Sequence, residues 1–138
     1  MRLCLSALTL IALQSCLQNV KTTPVQFGSS EQQILYDLMV ERCEAINARD
    51  TERLRNVYAD NSTEYDWLKD RWLPSYERFR INVFVQKVEK ISVVDNDAAG
   101  RFVLELTGQL WGRYPYPKVD VLYVKQSDGW KILQVAER

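Results

Sequence analysis

The apolar residues of this chain change their period once, at Arg78. Ahead of it they recur every three or four positions, as on one face of a helix. Beyond it they alternate, as on one face of a strand. A chain in that order buries its apolar positions by laying a group of helices on a sheet, so the expected class is α+β.

The helical half carries its own start signals. Ser30 and Gln33 form a capping-box pair ahead of Leu35, Leu38, Met39, Cys43 and Ile46, which predicts an amphipathic helix over residues 31–48 with Cys43 on its buried stripe. Asp50 caps a second, shorter helix through Tyr58, with Leu54 and Val57 inward. Asn61 and Glu64 repeat the signal for a third, with Tyr65, Leu68 and Trp72 on one side and Pro74 as its stop.

Four strands come next. Ile81, Val83 and Val85 alternate, and the apolar phase then shifts to Val88, which predicts a bulge or bend in a long first strand. Asp95, Asn96 and Asp97 make the turn. Phe102, Leu104, Leu106 and Leu110 form the inner face of the second strand, leaving Glu105, Thr107, Gln109 and Arg113 outward. The YPYP segment, residues 114–117, leads to a third strand over residues 118–125, and Ser127-Asp128-Gly129 signals a tight hairpin before residues 130–136. The sum is three helices on one face of a bent, four-stranded antiparallel meander. On the third strand Asp120 shares parity with Leu122 and Val124; the opposite set is Val119, Val121 and Tyr123. Parity alone leaves both open.

Two stretches, INARDTERLRNVYAD at residues 46–60 and DGWKILQ at residues 128–134, with the turn at residues 95–98 between them, resemble the nuclear transport factor 2-like superfamily, above all its SnoaL-like and ketosteroid-isomerase-like members. The resemblance covers residues 31–137. It implies a cone in which three helices close over a strongly curved sheet, often with an apolar cavity at the open end and often in a dimer. Isomerases, cyclases, dehydratases and non-catalytic binders share that fold, so it transfers no function. The chain departs from the pattern after Asp60, where it enters the third helix without room for the short strand many relatives have.

The N-terminus sets an address. Arg2 and the uncharged run at residues 3–13 match the first two regions of a secretory signal, and the run falls short of the roughly 20 apolar residues a spanning helix needs. Leu13-Gln14-Ser15-Cys16 resembles the bacterial lipobox, which implies cleavage before Cys16 and acylation of its thiol. Residues 1–15 are then the signal peptide, residues 16–29 a tether and residues 30–138 the domain. The expected location is the bacterial cell envelope, anchored to the membrane through lipid on Cys16. Cys43 would be left without a disulfide partner, buried and inert.

Histidine is absent, which excludes His-dependent triads and His-ligated metals, and no metal or cofactor is expected. Lys plus Arg and Asp plus Glu number 18 each, so no basic field draws nucleic acid. Catalysis would have to run on carboxylates, Tyr, Lys or a thiol; the resemblance to ketosteroid-isomerase-like members implies a carboxylate base with a tyrosine as oxyanion donor, and the candidates are Asp120 with Tyr58, Tyr65 and Tyr114. Trp67, off the stripe of its helix, and Trp111, on the polar parity beside Arg113, suit an interface together with Tyr114 and Tyr116. The reading favoured is a non-catalytic domain that binds a protein partner or a small apolar ligand, with a homodimer through the outer sheet face. An isomerase- or dehydratase-type enzyme is the alternative. Asp120 and a tyrosine hydroxyl converging in an open cavity would favour the enzyme; a cone plugged by side chains would favour the binder.

Overall fold

The helical half runs as α1 (Ser30–Ala48), α2 (Thr51–Val57), α3 (Thr63–Trp67), a π-helical segment (Leu68–Trp72) and α4 (Leu73–Arg78); the sheet as β1 (Asn82–Val94), β2 (Asp97–Thr107), β3 (Lys118–Gln126) and β4 (Gly129–Glu137). These come from a computed structural model that describes residues 26–108 and 116–138. The strands lie in chain order, β1-β2-β3-β4, all antiparallel. The third helix of the expected three is the continuous stretch from α3 through α4.

Helix α1 starts one residue earlier than the capping-box pattern placed it. Ser29 is the N-cap, its hydroxyl accepting from the Gln32 backbone N–H, while the Gln32 side chain accepts from Gly28 N. Ser29 and Ser30 are chemically equivalent caps. The Gln32 amide also donates to the Ile91 carbonyl, which ties this helix start to β1. Asp50 caps α2 through the Arg53 N–H.

Pro74 does not stop the third helix. It lacks an N–H and its ring crowds the carbonyl four residues back, and the chain responds by widening: the Leu73 N–H donates to the Leu68 carbonyl, five residues back. The widened turn rotates the residues beyond it. Leu68 and Leu73 become the buried pair, and Trp72, four residues after Leu68, swings out to 50% exposure instead of joining the core.

The core fills the space between α1 and the inner sheet face. Leu35, Met39, Cys43 and Ile46 pack on Val83, Phe102, Leu104, Val121, Tyr123 and Ile132, with Trp130 buried at one margin. Burying such a side chain contributes about 1.5–3 kcal/mol. Polar clasps fix the layers: the Tyr123 hydroxyl donates to the Leu35 carbonyl at 3.0 Å. Asn47 donates to Val83 O and accepts from Val83 N, completing one position on the edge strand β1. Arg49, in left-handed backbone at φ 55°, donates to Ile46 O, Tyr76 O and Ile81 O and so ties α1, α4 and the approach to β1 together.

The opposite edge, β4, is covered by the segment after α2. Ala59 N donates to Ile132 O at 2.8 Å, where Tyr58 and Ile132 form a single parallel bridge. Ser62 Oγ donates to Leu133 O, and Glu64 Oε2 accepts from Val135 N. Free edge groups that would otherwise template pairing are thereby consumed. The sheet itself is irregular where the apolar phase slips: its register shifts between Val85 and Lys87, again between Val88 and Lys90, and between Leu122 and Tyr123.

Candidate functional site

At the end of the sheet where β1 begins and β2 ends, the helices stand away from the strands and leave an open cavity of about 920 Å³. Its walls are mostly apolar, built from Leu68 and Phe79 on the helical side and Ile81, Val83, Leu104 and Val119 on the sheet, with Ser75, Gln134 and Glu137 among the polar residues that also line it. Trp67 and Trp72 line it while remaining half exposed. The π-helical segment causes that placement by turning Trp72 away from the core, where its ring meets Tyr76 at 6.2 Å. Arg71 stacks on Trp67, its guanidinium 4.6 Å from the ring.

Beneath the apolar walls lies a buried polar cluster. Arg42 on α1, 7% exposed, lines the cavity and donates through Nε to the Tyr58 hydroxyl at 2.6 Å and through Nη2 to Glu64 Oε1 at 3.3 Å. The Tyr58 hydroxyl donates in turn to Glu64 Oε1 at 3.0 Å. With Val135 N on Oε2, both oxygens of Glu64 are already accepting. Burial works against the charge on Arg42, but the Tyr58 hydroxyl and the Glu64 carboxylate outweigh it and hold the guanidinium above its ordinary value. Burial pushes the Tyr58 phenol up, with Arg42 opposing. The arrangement is a closed Arg–Tyr–Glu unit, in which the guanidinium keeps its charge and the phenol its proton at neutral pH.

The sequence candidates are distributed differently from the catalytic expectation. Asp120 lies on the outer face, since Val119, Val121 and Tyr123 are the buried set on β3 and Leu122 is 44% exposed. Its Oδ1 sits 3.3 Å from both Arg101 Nε and Arg138 Nε. Asp120 is therefore an ion-paired surface carboxylate, and the alternative strand parity is the one adopted. Tyr58 is buried below the cavity wall as a support for Arg42 and Glu64. Tyr65 also stays out of the wall: its hydroxyl donates to Thr51 O, and Arg55 lies 4.9 Å from its ring. Trp67 and Tyr116 are exposed. Trp111, Arg113 and Tyr114 lie outside the described residues, as does Cys16. Cys43 is buried and free, and burial pushes its thiol up to about 11 against the opposing pull of Arg42.

Three residues of the site did not appear among the sequence candidates: Arg42, Glu64 and Tyr76. One signal for Arg42 was present. Leu35, Met39, Arg42 and Ile46 are spaced by four, three and four, so Arg42 occupies a position on the apolar stripe. A cation there needs a buried partner. Glu64 read as a helix-start residue; its actual partners, Arg42, Tyr58 and Val135, lie on three other segments.

Among the described residues no group of acidic, cysteine or histidine side chains is placed to hold a metal ion, and no helix is long and apolar enough to cross a membrane.

No protein-family model matches the chain. No curated protein matches it in sequence. Solved structures do match in fold. A nuclear transport factor 2-like superfamily protein from Salmonella enterica serovar Typhimurium superposes with a TM-score of 0.67 at 12% identity, over 81% of this chain and 92% of that one. A ketosteroid isomerase candidate from Shewanella frigidimarina gives 0.58 at 13% identity, over 74% and 92%. Bd1075 of Bdellovibrio bacteriovorus gives 0.63 at 14% identity; the match takes in 76% of this chain but spans 39% of that longer protein. With helices gathered on one face of a four-stranded antiparallel meander and an apolar cavity at one end of it, the chain has the fold of the nuclear transport factor 2-like superfamily.

Proposed function

We propose that the domain binds a small apolar ligand in the open cavity and performs no chemistry on it. The single observation that carries this reading is the cavity itself: about 920 Å³ of apolar-walled space joined to solvent between Trp67, Trp72 and the sheet, within the range of small-molecule sites. The cone expected of the fold belongs to the same reading, with the register shifts on β1 and β4 as the places where the strands bend. Catalysis by a carboxylate base finds less support. Asp120 is on the wrong face, and Glu64 already accepts from Arg42, Tyr58 and Val135, which leaves it poorly placed to take a substrate proton.

The test is saturable binding of Nile red, an uncharged apolar dye, at one equivalent per chain, lost when Leu104→Trp fills the cavity. Dye that binds the variant as well as the parent protein would refute the cavity as the binding site.

The address is part of the proposal and rests on sequence: a signal peptide over residues 1–15, acylation of Cys16, and residues 16–29 as a tether to the envelope membrane. Labelling with radioactive palmitate, comparing the natural chain with Cys16→Ala, tests it; label retained by the variant refutes it. A protein partner or a second copy could meet the outer sheet face, where Phe84 and Leu122 are exposed, and light scattering at micromolar concentration separates monomer from dimer.

A further inference from the structure

We infer that the cavity's occupant is an amphiphile whose polar end presents acceptor oxygens, as a carboxylate or an ester does, and that Arg42 and Tyr76 receive that end. The inference rests on the cavity-binding reading and adds the chemistry of the ligand's head. Arg42 has donors to spare. A guanidinium carries five N–H groups, and among the described residues Nε serves Tyr58, Nη2 serves Glu64, and Nη1 has no acceptor. Among the described residues the sealed polar side-chain atoms that make no hydrogen bond are Trp130 Nε1 and the ion-paired Asp120 Oδ1; Nη1 is not one of them, so it is reached from the cavity that Arg42 lines. Tyr76 lines the same cavity, and its hydroxyl is not sealed and has no hydrogen-bond partner among the described residues. Burial pushes this phenol up, with Arg42 opposing, so it stays a donor at neutral pH.

The acceptor side of the cluster is used up. Glu64 faces three donors, so a ligand head offering only N–H groups would find no free carboxylate beside Arg42; Glu137, the other carboxylate lining the cavity, is exposed to solvent. At the buried end of the pocket, donors beside a carboxylate already used up select for a ligand that brings the oxygen, because leaving either side unpaired costs the desolvation of that group. A charged donor strengthens the selection.

Displacement of Nile red from the full chain, carrying Cys16→Ser so that it stays unacylated, tests this with three probes of equal tail length: octanoate, methyl octanoate and octylammonium. Octanoate or methyl octanoate, or both, should displace the dye at about tenfold lower concentration than octylammonium, the ratio expected when one charge-assisted hydrogen bond is gained. Which of the two is the tighter says whether the natural head is an acid or an ester-like carbonyl. Tyr76→Phe should narrow the ratio, and Arg42→Lys should narrow it further, while Asp120→Asn on the outer face leaves it as it was. Equal displacement by all three probes overturns the inference and leaves the cavity reading standing. Failure of the dye to bind at all overturns both.

Discussion

Arg42 Nε donates to the Tyr58 hydroxyl at 2.6 Å inside the core, and this one bond joins the long helix α1 to the segment that covers the edge of β4. It also lets Tyr58 pass its own proton toward Glu64. The cation is thus held by a neighbour sixteen residues on and another twenty-two residues on.

Tyr58→Phe keeps the ring and removes the hydroxyl, leaving Arg42 Nε without an acceptor. A buried unsatisfied donor costs about 1–3 kcal/mol. Urea unfolding should show that loss as a lower midpoint with an unchanged slope. Arg42→Met should cost more, about 3–5 kcal/mol, because it strands the Glu64 carboxylate. The double variant Arg42→Met with Glu64→Gln should recover part of the difference.

Asp120→Asn should change little. Its partners Arg101 and Arg138 lie on the partly exposed outer face, and such pairs contribute under about 1 kcal/mol. Dye binding in the cavity should be unaffected. A large loss of binding in this variant would restore Asp120 to the site.

Two glycines should separate strain from collision. Gly129 has φ 115° in the β3–β4 hairpin, and nothing lies within 4 Å of where a Cβ would stand. Gly129→Ala should therefore cost about 1–2 kcal/mol of backbone strain. Gly108 has φ 120°, and its Cβ would stand 2.2 Å from the Arg80 carbonyl oxygen. Gly108→Ala adds a clash with backbone that cannot step aside, so about 3 kcal/mol or more is expected. Thermal unfolding of the two variants side by side reads the difference.

The features legible in the sequence obey local rules. The period change, the Asp50 cap, the slip after Val85 and the Ser127–Asp128 turn are each decided within a few residues, and each stands in the structure. The concealed ones depend on distant partners or on near-ties. Ser29 and Ser30 are equal caps until Gln32 finds Ile91. A proline ordinarily ends a regular helix, but at Pro74 the packing of Leu68 and Leu73 holds a widened turn together. The two parities of β3 differ only by which set the rest of the core accepts, and Tyr123 settles it by reaching Leu35 on α1. The site was the least legible part, because Arg42, Glu64 and Val135 come together from three separate segments.

Alkaline pH should unfold this domain early, and the order of titration says where. Cys43 is 3% exposed, and burial moves its thiol from 9.0 to about 11. Below about pH 9 the thiol keeps its proton in both folded and unfolded chains, so stability does not depend on it. Between about 9 and 11 the unfolded chain releases the proton while the folded one retains it, and stability falls as pH rises. A gap of that size corresponds to about 2–3 kcal/mol, complete above the folded value. Tyr58 and Tyr123, raised from 10.0 by burial, extend the decline at higher pH. Melting temperature should therefore be level from pH 6 to 8 and drop steeply from 9 upward. Cys43→Ala should flatten the first part of the drop and leave the tyrosine part in place. At pH 8 a disulfide reagent should label Cys43 only as fast as the domain opens, and a native thiol that reacts at the rate of a free one would show that it is not buried.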